Sequence, residues 1–95
     1  MTRHDFAPIA HIQQQAAQHF GLPLRVLIAY DANPDVCRAR HVAMYVASLT
    51  GKGTMALGRK FNRDHATVKR SIKKVAASPD LLRDVEALRA RLDGQ

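Results

Sequence analysis

The stretch Gly58-Arg59-Lys60-Phe61-Asn62-Arg63-Asp64-His65-Ala66-Thr67-Val68-Lys69-Arg70-Ser71-Ile72-Lys73-Lys74-Val75 decides how this chain folds. Between Arg59 and Lys74 it holds seven basic side chains and one acidic one. Val68, Ile72 and Val75 recur at i, i+4, i+7, the spacing of a single helical face. Arg70, Lys73 and Lys74 then occupy the rest of the cylinder. Such a helix buries its apolar back in a core and turns a basic front to phosphates. Asn62 and Arg63 make a turn ahead of it, and Asp64 either caps the helix or favours its positive N-terminal end. Two helices joined by so short a turn, the second one basic, predict a helix-turn-helix whose second member enters the major groove of DNA.

The sequence on either side predicts more helix and no strand. Ile9, Ile12, Ala16 and Phe20 describe an amphipathic helix with Gln13, Gln14, Gln18 and His19 on its wet side and Gly21 at its end. Pro23 opens a brief helix over Leu24 to Ile28. Asp31 to Asp35 is a polar break in which Asn33 caps a third helix, with Pro34 in its first turn. That helix runs to about Leu49 and turns Val36, Ala39, Ala43, Val46 and Ala47 inward, leaving Arg38, His41 and Tyr45 outside or on its flank. Thr54 is expected to cap a fourth helix through Phe61, with Met55, Leu57 or Gly58, and Phe61 inward. The basic helix continues to about Ala77. Ser78 and Pro79 end it and cap a sixth helix whose apolar stripe is Leu81, Leu82, Val85, Leu88 and Leu92. The expected architecture is all-α: a compact bundle of five to six helices over residues 9–93, preceded by an N-terminal extension over residues 1–8.

Composition narrows the partners. Ninety-five residues with 46% apolar side chains fit one domain with a modest core. A formal charge of +7 favours polyanions. Five aromatic residues and no tryptophan supply few stacking platforms for single strands or splayed RNA loops, so duplex DNA gains over RNA. The single cysteine, Cys37, rules out an intramolecular disulfide and a cysteine-based metal cluster, in keeping with a reducing cytoplasm. The chain shows neither a signal peptide nor an apolar run long enough to span a bilayer. Cytoplasmic localisation, a monomer, no small-molecule substrate and no integral membrane association are expected.

One motif is more specific than composition. Gly58 and Phe61 followed by Arg63-Asp64-His65-Ala66-Thr67-Val68, with Arg38-Ala39-Arg40-His41-Val42-Ala43-Met44 upstream, resemble the C-terminal DNA-binding domain of the bacterial replication initiator family DnaA. The resemblance covers roughly Ile9 to Leu92 and implies an all-helical, Trp-repressor-like domain that binds DnaA-box duplex DNA in replication initiation. By position it implies that Arg38 enters the minor groove, where a narrow groove favours arginine. Asp64, His65 and Thr67 match the reading end of the recognition helix: a carboxylate accepts from cytosine N4, an imidazole donates to a base acceptor, and a hydroxyl donates to phosphate. Ala66 stands where the family has a threonine, and its methyl can touch a thymine methyl. Lys52, in the loop before the helix-turn-helix, is expected to meet a phosphate, as are Arg63, Lys69, Arg70, Lys73 and Lys74. The turn is one residue shorter than usual in the family, Asn62 replacing two glycines.

Rival readings carry less. A solvated helix face would explain the charges without a ligand, but not their one-sidedness together with the motif. Arg38 could instead pair with Asp35, one turn away. Gly51-Lys52-Gly53-Thr54 looks like the end of a phosphate-binding loop, yet Val46 stands where its first glycine belongs and a helix precedes it instead of a strand. The family's ATPase precedes this domain, and none is encoded here. The chain therefore reads as an ATPase-free binding protein or an excised domain. His65 beside Asp64 and near Ser71 does not assemble nucleophile, base and orienter. His4, His11, His19 and His41 lack the spacing of a zinc site. Cys37, despite Arg38 beside it, reads as a small core residue. No enzyme activity and no cofactor is expected. The alternative function is a protein- or acidic-membrane-interaction module with only non-specific DNA affinity.

Overall fold

The computed structural model describes residues 7–29 and 32–94, which form six helices. These are α1 (Ile9–Phe20), α2 (Leu24–Ile28), α3 (Pro34–Leu49), α4 (Thr54–Phe61), α5 (His65–Ala76) and α6 (Pro79–Asp93). Among the described residues no strand occurs. Of the expected N-terminal extension, residues 1–6, His4 among them, lie outside the described residues, as does Asp31 of the polar break.

α3 organises the bundle because it packs against all five other helices. A helix in that position must bury nearly its whole circumference. Val36, Ala39, Val42, Ala43, Met44, Val46 and Ala47 are accordingly all inaccessible or nearly so. Small residues at Ala39, Ala43 and Ala47 form an i, i+4, i+8 line that lets neighbours approach closely. Ile12 and Ala16 of α1, Leu27 of α2, Leu57 and Phe61 of α4, Val68 and Val75 of α5, and Val85 and Leu88 of α6 complete one core. Phe61 is fully buried, and its burial contributes about 1.5–3 kcal/mol.

Three helix starts follow from local chemistry. Asn33 Oδ1 accepts from the Asp35 amide at 2.9 Å with Pro34 in the first turn. Asp64 Oδ1 accepts from the Thr67 amide at 2.8 Å. Ser78 Oγ accepts from the Leu81 amide at 3.3 Å, again with proline at the first turn. Gly21, at φ 67°, ends α1 in the left-handed conformation that a glycine adopts without strain.

Several expectations are corrected. Gln13 is 6% exposed, not on a wet face: its Nε2 donates to the Lys60 carbonyl at 3.0 Å, tying α1 to the end of α4. Thr54 does not cap α4. Gly53 holds that position in extended backbone with no side-chain cap, and Thr54 is the first helical residue. Met55 is 62% exposed and lies outside the core. Cys37 is half-buried, within 3.7 Å of Arg40 Nη1.

Candidate nucleic-acid interface

α5 divides cleanly around its axis. Val68, Ser71 and Val75 are buried and Ile72 is partly buried against the core, whereas His65, Ala66, Lys69, Arg70, Lys73 and Lys74 are exposed. The polar back position is satisfied within the helix, because Ser71 Oγ donates to the Thr67 carbonyl at 3.0 Å. Four cations and an imidazole therefore project from one helix face.

The turn in front of α5 is built for close approach. Asn62 adopts φ 56° and ψ 48°, and both its amide and that of Arg63 donate to the Gly58 carbonyl, the latter at 2.9 Å. A Cβ on Gly58 would stand 2.6 Å from the Arg63 carbonyl oxygen, so α4 and the turn can touch only through a glycine. One left-handed asparagine thus suffices to swing the chain from α4 into α5. Met55, Gly58, Arg59, Asn62, Arg63, Asp64 and His65 line an open groove.

At the start of α5, Asp64 is exposed while its carboxylate caps the helix. The Thr67 amide and then the Thr67 hydroxyl, helped by the Arg70 and His65 charges, hold the carboxyl below its ordinary value. Arg70 Nη2 donates to Thr67 Oγ1 at 3.1 Å, so the hydroxyl is oriented by a neighbouring guanidinium. Asp64, His65, Ala66, Thr67 and Arg70 are brought together around one helix N-terminus.

The other expected contacts are placed differently. Arg63 is half-buried: its Nη1 donates to the carbonyls of Phe61 at 3.1 Å and Asn62 at 3.0 Å, and its Nη2 to that of Ala29 at 2.7 Å. Arg38 pairs with α6 instead of Asp35, with Nε 2.8 Å from Asp84 Oδ2 and Nη2 3.5 Å from the Asp80 carbonyl. It shares a cleft of about 370 Å³ with His41, Lys74 and Ser78, at the far end of α5 from His65. Lys52 stands half-buried in the connection between α3 and α4.

One side chain near this surface is missed by the sequence reading, and His41, expected outside or on the flank of α3, is half-buried. Arg40 is 5% exposed and donates from Nε to the Leu27 carbonyl at 3.0 Å and from Nη2 to that of Ala29 at 3.3 Å. The signal was present, since Arg40 follows Val36 at i+4 on the inward face. Burial, then the charges of Lys74, Arg40 and Arg63, push the His41 imidazole below its ordinary pKa. Among the described residues no group of histidine, cysteine, aspartate or glutamate side chains is placed to hold a metal ion, and no helix is long and apolar enough to cross a membrane.

A short helix packed against a basic one through a glycine, with a tight turn and an exposed N-terminal end, defines the class of helix-turn-helix proteins. Residues 9–75 match the family model described as the bacterial DnaA protein helix-turn-helix, and the chain belongs to that family. It is 37% identical over 92 residues to the chromosomal replication initiator protein DnaA of Gluconobacter oxydans, covering 90% of this chain and 19% of that protein. The proteins of the same name from Cereibacter sphaeroides and Streptococcus agalactiae are each 33% identical, over 90 and 91 residues, covering 88% and 90% of this chain. The chain spans about a fifth of the length of these relatives.

Proposed function

We propose that this domain, taken as one unit over residues 9–93, binds double-stranded DNA in replication initiation and selects DnaA-box-like sites. The observation that carries this reading is the exposed N-terminal end of α5, where Asp64, His65, Ala66 and Thr67 stand side by side on a helix otherwise lined with cations. An α-helix fits the major groove, and its first turn reaches the base edges. Asp64 accepts from cytosine N4 while keeping its cap, His65 donates to a base, and the Ala66 methyl meets a thymine methyl. Thr67, Lys69, Arg70, Lys73 and Lys74 face phosphates, and Lys52 takes a phosphate from the loop before α4. Arg38 serves the adjacent minor groove. Lys74 lies nine positions after His65, about 14 Å along the helix axis, which is close to the width of a major groove. A monomer binds one site, as part of the nucleoid in the cytoplasm, and binding itself needs no ATP and no catalysis.

The test is titration of labelled duplexes, one carrying a DnaA box and one scrambled, at several salt concentrations. If about six phosphates are neutralised, log affinity falls against log salt with a slope of roughly −5, and the box is preferred at every concentration. Equal affinity for the two duplexes would overturn selectivity. Comparable binding to acidic vesicles would favour an interaction module.

A further inference from the structure

The guanidinium of Arg63 is spent on the protein. It bridges three carbonyls, those of Phe61, Asn62 and Ala29, and the last lies 34 residues away in sequence at the end of α2. The final carbonyls of a helix have no donor within it, and the planar fork of an arginine can satisfy several at once. Arg40, nearly fully buried in the central helix, donates to the same Ala29 oxygen and to the Leu27 carbonyl. The end of α2 is thereby fixed to α3, and Arg63 fixes the turn to the end of α2. Immediately after Arg63 comes Asp64, whose carboxylate holds the first turn of α5 through the Thr67 amide. From the other side Gly58 admits the Arg63 carbonyl at a distance that a side chain would forbid.

We propose that Arg63 is a positioning residue: acting through Asp64, it ties the reading end of α5 to the C-terminal end of α2 and sets how Asp64 and His65 meet the bases. This role replaces the phosphate contact expected from its charge, and it rests on the DNA-reading function proposed above. A lysine keeps the charge but has no planar fork, so it cannot bridge carbonyls on both sides of the turn.

Two variants, Arg63→Lys and Arg63→Gln, separate the roles. Titrated with box and scrambled duplexes across salt, both variants lose box preference by about tenfold, the scale of one base contact. Their affinity for the scrambled duplex and its salt slope stay at the wild-type values. The proposal is overturned if Arg63→Lys matches the wild type while Arg63→Gln weakens both duplexes and flattens the slope by about 0.9, the mark of one lost phosphate contact. Amide hydrogen exchange gives a readout that needs no DNA. Exchange at Thr67 is faster in both variants, while the Val85 and Leu88 amides of α6 keep their protection. Unchanged exchange at Thr67, or loss of protection throughout, overturns the proposal. A wild type without box preference would overturn the proposed function alone, and the exchange experiment would still decide the role of Arg63.

Discussion

Arg38 Nε lies 2.8 Å from Asp84 Oδ2, an ion pair that joins the outer side of α3 to α6. The same carboxylate has its Oδ1 3.5 Å from His19 Nε2. Any use of Arg38 in a DNA groove therefore competes with Asp84. Asp84→Asn is expected to free the guanidinium and raise duplex affinity several-fold at low salt, the gain shrinking as salt screens the charge. Its cost in stability is under about 1 kcal/mol, because the pair is partly exposed. The gain must vanish in the double variant Arg38→Ala/Asp84→Asn, which duplex titration and thermal unfolding together would show.

Gly58 is expected to be the most sensitive position in the turn. A methyl group there meets the Arg63 carbonyl oxygen, a backbone atom that cannot rotate away. Gly58→Ala should cost about 1–3 kcal/mol, the usual range for forced overpacking. Urea denaturation would report this as a lower midpoint with an unchanged slope.

Acid should weaken the fold through His41. Its folded pKa is depressed by burial and by Lys74, Arg40 and Arg63. The unfolded chain then takes up the proton first as pH falls. The stability linked to this group is complete above the ordinary imidazole value and is lost as pH drops from there through the folded value. His41→Gln should remove this part of the pH dependence. Unfolding free energy between about pH 7.5 and 5, compared for wild type and variant, measures it.

How far the sequence revealed this molecule depended on whether each interaction was local. The caps at Asn33, Asp64 and Ser78 were legible because each acceptor lies within three residues of its donor. So was the division of α5, where Val68, Ile72 and Val75 mark one face. Gln13 looked wet because its partner, the Lys60 carbonyl, is 47 residues away. Met55 was misplaced because the inward face of α4 is set by Leu57, Gly58 and Phe61. At 100° per residue, Met55 falls roughly 110° from the centre of that face. At the interface, the reading end was found by motif and periodicity. The engagement of Arg38 and Arg63 was hidden, since charge alone does not say whether an arginine faces solvent or a carboxylate or carbonyl brought near by folding.

On the proposed function the two ends of α5 do different work, reading at His65 and attraction at Lys73. Salt-dependent titration of His65→Ala and Lys73→Ala on a DnaA-box duplex and a scrambled duplex tests it directly. His65→Ala should weaken the box duplex by about 1–3 kcal/mol more than the scrambled one. Lys73→Ala should weaken both alike and reduce the magnitude of the salt slope by about 0.9. The opposite assignment, with selectivity lost at Lys73 and uniform weakening at His65, would contradict the placement of α5 on DNA.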